Sequence, residues 1–427
     1  MGSQMAHVMR DDEAALPTTW TLTTSNSFLA FGAYLLHDTE VRVVFMHESE
    51  TRYVTDAELY KKMSSVGPQR RSSSWTQLLR GTWEITERLT NGSNVVLASG
   101  HGGVRDTFPG RRTHRAVSLP ISVNLRRTAE SWLQLGDHEL YVQIHLPVSS
   151  IAAAPPQRAT TFCSSPLVSA KVYETTMLTK WLRHHLHLGG QNTRAVLYEV
   201  THPTVSEHSI LFASLTEDVR THVVVRRWPA RGVIDGTVDS SAERGERPVS
   251  GTSHGQIAAL HDCLYRFGEA SQFMISLDID EFLWSKSLPR AGTSRLAEQS
   301  LDSLLRPFAV RGLTAVYLQE SFYEGSIPAV AVGARMVENS SRQLRGSLPL
   351  KNSAGCQNPR PDFGKPLLLN TVCVDELWIH CVTRVRRSCH TAPYVLQRDQ
   401  LRINHFFEHN GETRVRLRQK NGWPMQR

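Results

Sequence analysis

The chain has 427 residues, 40% of them hydrophobic and 21% charged, with a formal net charge of +8. That profile gives core enough for two globular domains and excludes a disordered or fibrous chain. No apolar run approaches the roughly 18 residues of a spanning helix, and Met1 to Leu16 carries Asp11, Asp12 and Glu13 where a secretory leader would be apolar.

Residues 1–19 are polar and without periodicity, as in a flexible lead-in. Residues 20–150 predict a β-rich, sandwich-like accessory domain, with strands at about 28–36, 41–47, 94–98, 117–125 and 138–146 separated by Gly-, Ser- and Arg-rich loops. Trp75, Trp83 and Trp132 would give it a sugar-stacking face, against the commoner fate of tryptophan, which is core packing. Ile151 to Gln157, small and proline-containing, predicts a linker.

The pattern then changes. Lys171 to Leu188 sets Met177, Leu178, Trp181, Leu182, His185 and Leu186 at helical spacing before the stop at Gly189-Gly190. A strand at 194–200, a long polar loop at 230–255, a helix at 256–267 and a strand at 273–277 follow. This alternation predicts an α/β catalytic domain over residues 158–410 with a mostly parallel sheet, whose ligands sit beyond the carboxyl ends of the strands. Downstream, a strand at 313–318 leads to Glu320 and Glu324, an apolar run at 367–374 precedes His380, and Ile403 to Phe407 closes the ordered part. The basic tail over 411–427, continuing a charge excess that begins at Arg384, would steer a polyanion such as a nucleotide diphosphate, or simply be solvated.

The chemistry concentrates at Phe273-Met-Ile-Ser-Leu-Asp278-Ile-Asp280-Glu281-Phe-Leu-Trp284, a buried run ending in three acids. In an extended segment Asp278 and Asp280 point the same way and can share one cation. Two buried like charges require such a partner, and oxygen ligands select Mg²⁺ or Mn²⁺ bridging to substrate phosphates. Phe282 stands where a haloacid-dehalogenase-type phosphatase would have Thr or Val, and no Walker motif occurs. A polymerase or nuclease would need a basic, aromatic-interleaved groove that this stretch lacks, so no nucleic-acid partner is expected. The six cysteines, Cys163, Cys263, Cys356, Cys373, Cys381 and Cys389, show no zinc spacing and permit disulfides without requiring them.

Several motifs in order, Trp181 to Gly189, Val196-Leu-Tyr198-Glu, Trp228-Pro229, Gly255-Gln256 through Asp262-Cys263-Leu, Leu277 to Phe282, Gly364-Lys365-Pro, Ile379-His380 and Asn404-His405-Phe406, resemble glycosyltransferase family 92, which includes plant galactan synthases and animal galactosyltransferases. The resemblance covers about residues 160–410. It implies a GT-A (Rossmann-like) fold, a UDP-sugar donor, typically UDP-galactose, a glycan acceptor, and Mn²⁺ (or Mg²⁺) held by Asp278 and Asp280. It further implies a later histidine ligand, His380 with His405 in reserve, each weighed against a structural role. Inverting transfer needs a carboxylate base: Glu320 and Glu324 are candidates, with Glu281 positioning the acceptor or orienting Asp280. His185, Tyr198, Gln256, Asp262 and Asp278 are the candidate donor-side residues. The chain departs from the family at Tyr198-Glu199-Val200, where Tyr-Asp-Asn is usual, and at Lys180, where an acid is usual. Family members are commonly anchored in the secretory pathway and Golgi; membrane association here would need a segment outside this chain, and the sequons Asn91-Gly-Ser93 and Asn339-Ser-Ser341 matter only on that route. Two rival readings are a non-catalytic carbohydrate-binding relative and a metal-dependent phosphoryl-transfer enzyme.

Overall fold

The structure, a computed structural model, describes residues 28–36, 39–47, 80–89, 91–106, 115–121, 125, 130–135, 140–146, 159–167, 176–190, 192–201, 215–229, 256–286, 301–324, 342–344, 365–386, 388–389 and 394–407. The N-terminal segment, Trp75, the linker at 151–157, the loop at 230–255 and the tail at 411–427 lie outside the described residues. Strands β1 (Phe28–Leu36), β2 (Glu40–His47), β3 (Thr82–Arg88), β4 (Asn94–His101), β5 (Arg105–Asp106), β6 (Arg115–Pro120), β7 (Glu130–Leu135) and β8 (Leu140–His145) come first. They are followed by β9 (Ala159–Leu167), α1 (Thr176–Gly189), β10 (Thr193–Thr201), α2 (Glu217–Arg220), β11 (Val223–Pro229), α3 (Gln256–Phe267), β12 (Ser271–Leu277) and β13 (Glu281–Trp284). Then come α4 (Leu301–Val310), β14 (Ala315–Tyr317), β15 (Gln319–Glu324), β16 (Arg342–Leu344), β17 (Pro366–Leu368), a 3₁₀ turn (Thr371–Cys373), β18 (Val374–Trp378), β19 (Cys381–Val385), β20 (Tyr394–Val395) and β21 (Arg402–Phe407).

The chain divides into two compact units, one drawn from residues 1–156, 199–207 and 227–270, the other from 157–198, 208–226 and 271–427. In the first, β1 to β8 form one eight-stranded sheet in the order β4-β3-β7-β8-β1-β2-β6-β5. The expectation was a sandwich; the described strands are hydrogen-bonded into a single sheet. Strand alternation sorts its side chains. Ala33, Leu35, Val41, Val43, Leu133 and Ile144 belong to one contiguous apolar core. The intervening Tyr34, Arg42 and His145 face the other way and are also buried.

Helix α3 covers that second face. It was expected to serve the α/β sheet, but it packs on β1 and β2, and a polar layer fastens it there. The Tyr34 hydroxyl donates to Asp262 Oδ1 at 2.9 Å, Arg42 Nη1 donates to the Tyr265 hydroxyl at 3.1 Å, and Arg266 Nη1 lies 3.0 Å from His145 Nδ1. Parallel pairing of β1 with β8 sets Tyr34 beside His145, which fixes the layer's register. Burial opposes the charge on Arg42, yet Tyr265 and Glu40 more than offset it and hold the guanidinium protonated.

In the second unit, β12 lies parallel to β9 and antiparallel to β17, within the seven-strand order β11-β10-β9-β12-β17-β14-β20. The sheet is mixed: β17 runs against both β12 and β14, while β12 lies parallel to β9 and β14 to β20. A four-stranded sheet, β13-β21-β15-β16, carries the chain beyond the acids. Trp181, Phe162, Phe273, Phe282, Leu305 and Phe406 join helices and both sheets in one core.

Tyr34→Phe removes a buried hydrogen bond without altering shape, so the urea midpoint should fall by an amount equivalent to about 1–2 kcal/mol with an unchanged denaturant slope.

Candidate functional site

Strand β12 ends at Leu277 and the chain turns at once: the Glu281 N–H donates to the Asp278 carbonyl at 3.0 Å. Asp278 and Asp280 therefore sit on a tight turn, not on the extended segment expected, and meet different cations. The turn is closed twice. Glu281 Oε2 accepts the Asp278 backbone N–H at 2.7 Å and lies 2.6 Å from Lys365 Nζ. Lys365, wholly buried at the start of β17, also reaches Asp278 Oδ2 at 3.3 Å. Ser165 of β9 donates its hydroxyl to the other carboxylate oxygen, Asp278 Oδ1.

Strand β21 completes the cluster. It pairs antiparallel with β13, setting His405 directly opposite Glu281, and parallel with β15, which brings Glu320 alongside. His405 Nε2 is 3.2 Å from Asp280 Oδ2, and its Nδ1 is 3.8 Å from Glu281 and 3.9 Å from Glu320. The Phe406 N–H also ties down the Asp280 carbonyl at 2.8 Å. These ion pairs join four carboxylates to two cations and shift the titration of Asp278, Glu281, Lys365 and His405. Burial alone would raise Asp278, but Lys365, the Ser165 hydroxyl and His405 hold it down to about 2. Burial pushes Glu281 upward; Lys365 opposes the rise while Asp278 and Glu320 reinforce it. Lys365 and His405 are both raised against the effect of burial, Lys365 by Asp278 and Glu281, and His405, to about 10, chiefly by Asp280.

Helix α1 holds the turn from behind. β13 is an edge strand, and two imidazoles occupy its open side. His184 Nε2 lies 2.7 Å from the Leu283 carbonyl, which requires a proton on that nitrogen. His185 Nε2 accepts the Leu283 N–H at 3.4 Å while its Nδ1 donates to the Trp181 carbonyl at 2.9 Å. His185 is fully buried among Phe162, Trp181 and Phe282, so it supports the site from within.

The remaining expected residues lie elsewhere or deeper. Tyr198 is completely buried, its N–H donating to Ser164 Oγ at 3.1 Å. Gln256 and Asp262 are buried on α3 in the first unit. His380 occupies the turn between β18 and β19, and the place beside Asp280 is taken by His405. Glu324 ends β15, its backbone paired with Phe407; its side chain lies outside the description. Lys365 and Ser165 were not foreseen as site residues. A lone lysine leading the apolar Pro366-Leu-Leu-Leu369 was a readable signal; Ser165, in a run of small polar residues, gave none.

The family 92 sequence profile, described as glycosyltransferase family 92, matches residues 158–419, more than half of the chain. The chain belongs to glycosyltransferase family 92. The family 92 region contains the whole cluster around Asp278, and membership implies a nucleotide-sugar donor and a glycan acceptor. No curated protein matches the chain. Among the described residues no helix is long and apolar enough to cross a membrane, and no group of three or more His, Cys, Asp or Glu side chains is arranged to hold a metal ion. The donor chemistry of the two aspartates nevertheless fits a hard divalent cation. Asp278 and Asp280 keep 36% and 23% of their side-chain surface exposed, against 2% for Glu281 and Lys365, so their side chains lie on the cluster's open side.

Lys365→Met strands two acids, and removing one partner of a buried ion pair costs about 3–5 kcal/mol. A denaturation cycle should show that adding Glu281→Gln recovers part of the loss, whereas additive losses would contradict the pairing. His185 gives a second test. Burial, then neighbouring His184, lowers its pKa well below 6.5, so the unfolded state binds the proton first. The stability it supports is complete above that value and lost as pH falls below it. Going from pH 7.5 to 5.5, the unfolding midpoint of the native chain should drop more than that of His185→Gln.

Proposed function

We propose that this family 92 glycosyltransferase moves a hexose, galactose by family resemblance, from a UDP-sugar to a glycan hydroxyl with inversion at the anomeric carbon, on a GT-A arrangement. The observation that carries the reading is the position of the braced acid turn beyond the carboxyl end of β12, a strand lying parallel to β9 in an open sheet, which is where α/β sheets bind ligands.

In this reading Asp278 and Asp280 hold Mn²⁺ or Mg²⁺, which when bound supplies Lewis-acid stabilisation of the departing diphosphate. The chain's own residues do the rest. Glu281 and Lys365 are positioning residues: their contact at 2.6 Å is sealed from water, and Glu281 also grips the Asp278 amide. Ser165 fixes the rotation of the Asp278 carboxylate. Glu320, close to His405 and only 10% exposed, takes the proton of the acceptor hydroxyl as its oxygen bonds to the anomeric carbon and the bond from that carbon to the diphosphate oxygen breaks. His405, held protonated, keeps Asp280 and Glu320 in place. Trp284, under Arg402 at 3.8 Å, forms the wall of the acceptor side. A secretory location accompanies this assignment by resemblance to the family.

A donor screen by UDP release, with and without Mn²⁺ and candidate glycans, tests it. UDP-galactose turnover should require Mn²⁺ and vanish in Asp278→Ala. Glu320→Gln should lower kcat by about 10²–10⁴-fold while leaving donor KM near its original value. Full activity of Asp278→Ala, or release of inorganic phosphate in place of UDP, would sink the proposal.

A further inference from the structure

The β3–β4 hairpin carries a second feature, unrelated to the acid cluster. At its tip Asn91, Gly92 and Ser93 are all exposed. The Leu89 N–H bonds to the Ser93 carbonyl at 2.8 Å and the Gly92 N–H to the Leu89 carbonyl at 2.9 Å, with Gly92 at φ +83°, a conformation glycine adopts without strain. Asn91 Oδ1 accepts two hydrogen bonds from Ser93, from the backbone N–H at 3.0 Å and the hydroxyl at 2.7 Å. Asn-Gly-Ser is an acceptor sequence for N-linked carbohydrate. Here the serine hydroxyl polarises the amide through Oδ1 and so acidifies Nδ2, the atom that is modified in such sequences. The other sequon, Asn339-Ser-Ser341, lies outside the described residues.

Two independent observations give this sequence a context. The first is redox state. Cys163, Cys263, Cys373, Cys381 and Cys389 are all disulfide-bonded, Cys373 to Cys389 with Cα atoms 5.8 Å apart, and no described cysteine is free. A chain with every described thiol oxidised folds in an oxidising compartment, where N-linked transfer also takes place. The second is the surface beside the tip. β4 is the edge of the eight-stranded sheet and exposes Val95 at 42% and Val96 at 53%, two of the three large hydrophobic side chains exposed among the described residues. An open edge with apolar side chains invites pairing with another chain unless something covers it.

We propose that Asn91 is N-glycosylated and that the attached carbohydrate shields the β4 edge. The co-reactant is an oligosaccharide carried on a polyprenyl diphosphate. Asn91 Nδ2 bonds to the anomeric carbon of its reducing-end sugar, the bond from that carbon to the diphosphate oxygen breaks, the lipid diphosphate leaves, and one amide proton passes to a base of the transferring enzyme. No oxidation or reduction is involved. The site depends on the hairpin and the compartment, not on the transfer reaction assigned above, and the two assignments fail separately.

The test uses full-length protein isolated from the cells that make it. Peptide N-glycosidase treatment in ¹⁸O-water should leave a labelled aspartate in place of Asn91, and Asn91→Gln and Ser93→Ala should each lose one glycan's mobility shift on a denaturing gel while Ser93→Thr keeps it. Unmodified Asn91 in that peptide overturns the site, whether the cysteines are bonded or reduced. For the shielding, sedimentation of Asn91→Gln should show self-association that Val96→Lys reverses. A monodisperse Asn91→Gln overturns that half of the proposal.

Discussion

The contact between Lys365 and Glu281, 2.6 Å long and shut away from water, is the constraint on which the site depends. A buried ammonium is costly unless paired, and Lys365 answers that cost by binding two acids from one turn. Because Glu281 also accepts the Asp278 backbone N–H, the pair sets the fold of the turn as well as its charge. Asp278 and Asp280 are thereby left on the open side with their carboxylates held by Ser165, Lys365 and His405. In the proposed function, preorganisation of this kind would let the acidic oxygens meet a cation without first rearranging.

The support behind the turn is equally specific. An edge strand has unpaired backbone groups, and β13 has them satisfied by His184 and His185 acting together where another strand would lie. This needs a proton on Nε2 of His184 and none on Nε2 of His185. It also explains why histidines occupy buried positions on the apolar face of α1. In the first unit the same logic recurs at larger scale: Tyr34, Arg42 and His145, on one face of the sheet, are matched by Asp262, Tyr265 and Arg266 on α3.

Much of this was readable from the residues. The apolar run ending in Asp278, Asp280 and Glu281 leads into the buried ion-pair cluster, and the helix at 256–267 and the strands near 28–36 and 402–407 follow their hydrophobic periods. β3 and β7 were not foreseen, because Glu87 and Ser131 occupy buried positions where period-two reasoning expects apolar side chains. The partner of α3 was misread, since local order in sequence says nothing of which sheet a helix covers. His185 looked like a ligand group because a polar side chain within an apolar stripe has two explanations, and only the backbone of Leu283 distinguishes them. Lys365 comes from more than eighty positions downstream of Asp278, a distance that no local pattern spans.

Calorimetric titration of UDP into the intact chain, with and without Mn²⁺, tests the central claim most directly. The braced acid turn predicts UDP binding that requires Mn²⁺ and is lost in Asp280→Ala, a chain that stays folded. Binding of equal strength without the metal, or undiminished in Asp280→Ala, would contradict the account.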